Sequence, residues 1–234
     1  ITVGEKEIRP SSSMVFAALL YLGVERGRRV PRAALQELLF PNADERSGLH
    51  SVRQLLYKLR RLGAPIHADD HCVGLLNEVK DDTDEASLSG ASTDALKNGF
   101  LPSYAPQISP TFSDWLDSSR DQHAARIVRI LVNRLEREYD ASHFDRALKT
   151  CAAALHHDPL NEAATLVRAN ILAVGGQRQK AVEILSEYAG EVGLEIRLPL
   201  RQLRHPPGQP PRRAERLGAP ASGGGGLLQA PVQV

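Results

Sequence analysis

The 234-residue chain carries 29 Lys/Arg against 28 Asp/Glu, a formal net charge of +1, with 42% hydrophobic and 24% charged residues. This is the composition of a folded globular protein of one large or two small domains, not of a disordered or fibrous one. No apolar run approaches the roughly 18 residues of a membrane span, and the first residues do not read as a signal peptide. The first residue is Ile1 rather than Met, as expected of a fragment or processed product. Two cysteines, Cys72 and Cys151, are too few for a disulfide scaffold and fit a reducing, cytoplasmic setting.

Charge is unevenly distributed. Residues 1–63 hold 11 Lys/Arg and 6 Asp/Glu, whereas residues 64–120 hold 3 and 10. A basic front can meet phosphates; an acidic middle cannot easily do so.

Residues 1–10 read as a short extended hairpin, with Gly4 at the turn and Pro10 ending the strand. Ser11–Ser13 offer an N-cap for a first helix bearing Phe16, Leu19, Leu20 and Val24 on one face, with Gly27 a plausible stop. Pro31 opens a second helix with Leu35, Leu38 and Leu39, broken by Pro41-Asn42. A third helix is expected from Arg46 to Leu62. Its apolar set is Leu49, Val52, Leu56, Leu59 and Leu62; its other face carries His50, Ser51, Arg53, Gln54, Tyr57, Lys58, Arg60 and Arg61. Residues 65–76 read as two short strands around an Asp69-Asp70 turn. Hairpin, three helices, hairpin is the order of a winged helix-turn-helix.

Residues 77–95 are acidic and rich in Ser, Thr and Gly, and read as a linker plus a weak helix. Residues 99–112, with Pro102, Pro106 and Pro110, read as a loop. Four helices follow, over Trp115–Tyr139, Phe144–His156, Asn161–Val174 and Gln177–Glu191, with Trp115 a core anchor. Ala147 and Ala181 lie 34 residues apart, as do Leu148 and Val182, Ala154 and Tyr188, and Leu135 and Ala169. A 34-residue helix–turn–helix period with small residues at close-packing positions is the tetratricopeptide pattern. Residues 205–234, with six prolines and the Gly223–Gly226 run, read as a disordered tail or linker.

The third helix carries the chemistry. A helix with one apolar and one basic, hydrogen-bonding stripe fits the major groove, which is about 12 Å wide. His50, Ser51, Gln54 and Lys58 share a face and are the candidate base readers. Gln pairs bidentately with adenine, and Lys or Arg with guanine. Arg53, Arg60 and Arg61 are candidate phosphate clamps, with Tyr57 against the sugar-phosphate.

Other chemistry is weaker. His67, His71 and Cys72, with Asp69 and Asp70, have no second ligand cluster nearby in sequence. His156-His157 stands where a helix dipole favours a cation, and Cys151 among alanines reads as buried packing. Gly223–Gly226 lacks the Lys-Ser/Thr of a phosphate loop, and no nucleophile–base pair stands out, so neither an enzyme nor a cofactor is expected.

The stretches HSVRQLLYKLRRLG (His50–Gly63) and ALLYLGVERGRRVPRAALQELLFP (Ala18–Pro41) resemble the OmpR-type winged helix of SARP-like antibiotic-regulatory activators. NGFLPSYAP (Asn98–Pro106), FSDWLDSSRDQ (Phe112–Gln122), ALKTCAAALHHDPLNEAA (Ala147–Ala164) and GGQRQKAVEILSEY (Gly175–Tyr188) resemble the bacterial transcriptional activator domain that follows it. The resemblance covers about residues 1–203. It implies a mainly α protein: a winged helix over 1–76 with its first strands truncated, an all-α tetratricopeptide-like domain over 77–204, then the tail 205–234. It also implies a DNA-binding transcriptional activator that binds double-stranded promoter DNA. Ser51–Arg61 would be the recognition helix and His67–Val73 the wing. The repeats would contact RNA polymerase, a sister protomer in a homodimer, or an effector domain. Departures from the family pattern are Ser11-Ser12-Ser13-Met14, where a basic residue is expected, and the acidic wing HADDH. These departures motivate an alternative: an interaction adaptor acting through the repeats, with a vestigial DNA-binding domain.

Overall fold

The structure, a computed structural model, describes residues 10, 12–76 and 83–193 in full, and residues 2–3, 6–7 and 79–80 as backbone. The described residues are mainly helical. Strands β1 (Thr2–Val3) and β2 (Lys6–Glu7) form an antiparallel hairpin, and β6 (Val79–Lys80) pairs with β1 on its other side, Thr2 opposite Lys80. The hairpin expected over residues 1–10 is thus present as β1–β2, within a short three-stranded sheet ordered β2-β1-β6.

Helix α1 (Ser13–Val24) is buried on more than one side: Val15, Ala17, Ala18, Leu19, Leu20 and Leu22 are all inside. A helix so enclosed has no single apolar stripe. Val24, expected on the buried face, is 41% exposed beyond the enclosed turns. Ser12 occupies the N-cap position without a side-chain cap bond.

Strand β3 (Val30–Pro31) is too short to show a period and was not expected. Pro31 closes it and stands at the N-cap of α2 (Arg32–Leu39), just before the helix it was expected to open. Helix α3 (Glu45–Arg61) begins one residue early because Asp44 caps it, its carboxylate accepting from the Ser47 N–H at 3.1 Å. Strands β4 (Ile66–Ala68) and β5 (Cys72–Leu75) form the expected hairpin, and β3 adds to β5 with Val30 opposite Val73.

The acidic segment, expected as a linker plus a weak helix, lies against the long helix α5 (Pro110–Asp140). It forms α4 (Glu85–Gly90) and a 3-10 turn over Ala95–Lys97. Three α5 arginines hold it. Arg126 donates to Thr83 O at 2.9 Å, Arg129 pairs with Glu85 at 3.0 Å, and Arg134 donates to Ser89 O and Ala91 O at 3.0 and 2.9 Å.

Helix α5 starts at Pro110 rather than Trp115. Proline suits a first helical turn, and Ser109 caps it. At 31 residues it is about 46 Å long. Its first turns put Phe112 and Leu116 into the core formed by α1–α3 and β5, with Trp115 half-buried at the edge. Its later turns put Ile127, Ile130, Leu131 and Leu135 into a second core. The first core therefore draws on chain beyond residue 76.

Helices α6 (Phe144–His157), α7 (Glu162–Val174) and α8 (Arg178–Val192) follow, each against its predecessor. Of the pairs 34 residues apart, Ala147 and Ala181, and Leu135 and Ala169, are fully buried; Leu148 and Val182 are half-buried. The last part of the expected repeat domain and the tail 205–234 lie outside the described residues. No described helix is long and apolar enough to cross a membrane.

Candidate nucleic-acid interface

Helix α3 divides sharply. Gly48, Val52, Leu55, Leu56 and Leu59 are buried; Leu55 was not in the expected set, and Leu49 and Leu62 of that set are only half-buried. One helical turn advances 3.6 residues, so His50, Arg53, Gln54, Tyr57, Lys58 and Arg61 occupy the opposite arc, and Arg60 stands at its edge. All seven side chains are exposed.

The local sequence fixes this presentation. Gly48 has no side chain to hold α2 away, and Gln36 of α2 lies where its Cβ would be, with the nearest atom at 2.3 Å. Leu35, Leu38 and Leu39 of α2 and Val52, Leu55 and Leu59 of α3 share one core. At the far end Gly63 takes φ 87°, and the amides of Gly63 and Ala64 return to the carbonyls of Arg60 and Leu59 at 2.9 and 3.0 Å. Lys58, Arg60 and Arg61 sit in the last turn, where the helix dipole favours cations.

The candidate base readers differ in their commitments. His50 and Gln54 are hydrogen-bonded to each other at 2.9 Å. Ser51 is half-buried, and its hydroxyl donates to Ser47 O at 3.0 Å, so its proton is already used. Lys58 has no ion-pair partner among the described residues, and neither do Arg53, Arg60 or Arg61. Tyr57 is 61% exposed, with the Arg61 guanidinium 6.0 Å from its ring centre. Arg46 is exposed one turn before His50 on the same arc, and sequence reasoning passed over it. Its four-residue spacing from His50 was the available signal.

The β4–β5 turn is acidic in sequence but not bare. Asp69 accepts from the backbone N–H of His71 at 2.9 Å and Cys72 at 2.8 Å, and Arg29 pairs with it from the β3 side. Its charge therefore ties the turn to β3. His67, Asp70 and His71 are exposed. Among the described residues no group of three His, Cys, Asp or Glu side chains converges on a metal site.

His156 and His157 stand in the last turn of α6, where the helix dipole favours a cation, and His157 Nε2 also meets Leu96 O at 2.6 Å, joining α6 to the 3-10 turn. Cys151 is buried, and burial pushes its thiol up to about 12. A groove of about 810 Å³ opens beside α6–α8, lined by Leu148, Leu155, Leu172 and Ile184 with Arg168 and Glu187 among its charges.

Compared with known proteins, the chain matches no family model and no curated sequence.

Proposed function

We propose that this protein is a sequence-specific DNA-binding transcriptional regulator, an activator of the SARP-like kind, acting in the cytoplasm on promoter DNA. Strands β1–β6 with α1–α3 serve as its winged helix-turn-helix, and α5–α8 as its tetratricopeptide-like domain. The observation that carries this reading is the exposed arc of α3: four cations without acidic partners among the described residues, flanking a hydrogen-bonded His–Gln pair and an exposed tyrosine. A cationic arc on a surface helix attracts phosphates, and amide and lysine groups among the cations can discriminate bases in the groove. Arg29 offsets Asp69 in the turn expected as the wing, so the acidic sequence there is a weaker obstacle to a phosphate backbone than it reads.

The roles follow from reach and chemistry. His50, Gln54 and Lys58 read base edges, with Ser51 restricted to accepting. Arg53, Arg60, Arg61 and Tyr57 hold the backbone. RNA polymerase or a second copy of the chain would meet the repeats. Gel-shift titrations test this. Gln54→Ala should relax preference at one base pair, costing roughly 1–3 kcal/mol there. Arg60→Ala should weaken all sequences alike and lower the salt slope by about one. Binding without sequence preference at about 150 mM salt, with neither variant changing it, refutes the reading.

The groove beside α6–α8 favours a second reading, an interaction adaptor. Activity that survives neutralising Arg53, Lys58 and Arg61 together would favour the adaptor over the DNA reader.

A further inference from the structure

Arg46 is the second residue of α3 and stands on the same exposed arc as His50 and Gln54, one and two turns before them. Its side chain has no ion-pair partner among the described residues. The two ends of the helix differ in charge. Asp44 and Glu45 are exposed at its start, whereas Lys58, Arg60 and Arg61 crowd its last turn. A guanidinium beside two carboxylates is a poor clamp for a phosphate, because the same acids repel the anion it would hold. Asp44 also takes up the Ser47 N–H at 3.1 Å, one of the free amides through which a helix start would hold a phosphate. A base edge makes a different demand. The planar fork of an arginine matches the paired acceptors O6 and N7 of guanine, and that fit depends on geometry rather than on net charge. In a helix-turn-helix the first residues of the second helix are those that reach base edges.

We propose that Arg46 is a specificity-determining residue of the α3 interface, selecting guanine through a bidentate contact to O6 and N7. The inference rests on the DNA-reading role proposed for α3. Arg46 precedes Gln54 by eight residues, about 12 Å along the helix axis. At roughly 3.4 Å per base step, the guanine should lie within about four base pairs of the position that depends on Gln54.

The test uses the full chain and duplexes that carry each of the four base pairs in turn at every position of its preferred motif. Arg46→Ala should reduce a guanine preference at one position by at least about fivefold, the lower end of what a bidentate pair gives, and leave the other positions as they were. Its salt slope should stay near that of the wild type, whereas Arg61→Ala should weaken all duplexes alike and lower the slope by about one. Arg46→Met, which keeps the apolar stem, should behave as Arg46→Ala does. A uniform loss in both Arg46 variants, with a slope lower by about one, makes Arg46 a phosphate clamp and overturns the inference. So does a loss confined to a base other than guanine, or no change at any position. Each of these leaves the DNA-reading role standing. A wild-type chain with no base preference anywhere overturns both.

Discussion

Replacing Ser109 by alanine tests how the two cores are joined. Ser109 is buried, and its hydroxyl has two tasks. It accepts from the Phe112 N–H at 2.9 Å as the N-cap of α5, and it donates to Leu38 O at 2.5 Å. Leu38 O belongs to the last turn of α2, whose carbonyls have no partner within the helix. Loss of an N-cap costs about 1 kcal/mol. A buried carbonyl left without a donor costs a further ~1–3 kcal/mol. Ser109→Ala should therefore lower stability by about 2–4 kcal/mol, the sum of the two losses, read as a shift of the urea midpoint at unchanged slope. Asn161 caps α7 by accepting from the Ala164 N–H at 3.0 Å, but it supports no distant carbonyl. Asn161→Ala should cost only about 1 kcal/mol. Ser109→Thr retains the hydroxyl and should fall between Ser109→Ala and the wild type. Equal losses in Ser109→Ala and Asn161→Ala would refute the reasoning, because the bond to Leu38 would then contribute nothing.

Three further outcomes follow from the same structure. Leu131 is fully buried in the second core, so Leu131→Ala should destabilise by about 2–5 kcal/mol in the same assay; less than 1 kcal/mol would contradict its placement. Cys151 is buried with its thiol pushed up to about 12, whereas Cys72 is part-exposed, so a thiol reagent at neutral pH should label Cys72 alone until the chain is unfolded. Labelling of Cys151 in the folded protein would contradict this. The Asp44 carboxyl lies below its ordinary value because the Ser47 hydroxyl and amide both donate to it. A depressed native value adds stability that is present above about pH 4 and is lost as the pH falls through that native value. Asp44→Asn keeps a cap that does not titrate, so acidification from about pH 5 to about pH 3 should cost it less stability than the wild type. Parallel losses would refute the assignment.

The helices were legible where one face is buried and a capping residue stands at the end. In α3 the three- and four-residue spacing of Val52, Leu56 and Leu59 separated the faces, and Gly63 marked the stop. In the acidic segment the short helix α4 was legible but its docking on α5 was not, because that comes from Arg126, Arg129 and Arg134 some 43 to 45 residues later in the chain. Strand β3 was missed because two residues carry no period and exist as a strand only by pairing with β5. Phe112 and Leu116 belong to a core whose other members precede residue 76, and no local pattern announces that. In the candidate interface, spacing alone put His50 and Gln54 on one arc. That Ser51 turns its hydroxyl into its own helix, and that His50 and Gln54 are hydrogen-bonded to each other, are side-chain facts no periodicity encodes.

The central claim is that α3 reads sequence in duplex DNA. Its most direct test is selection by the full chain from duplexes with a randomised core of about 20 base pairs, two helical turns, at about 150 mM salt. The account predicts an enriched motif that includes a base pair dependent on Gln54. A folded protein that enriches no motif would contradict it, and the function would then lie with the helical repeats.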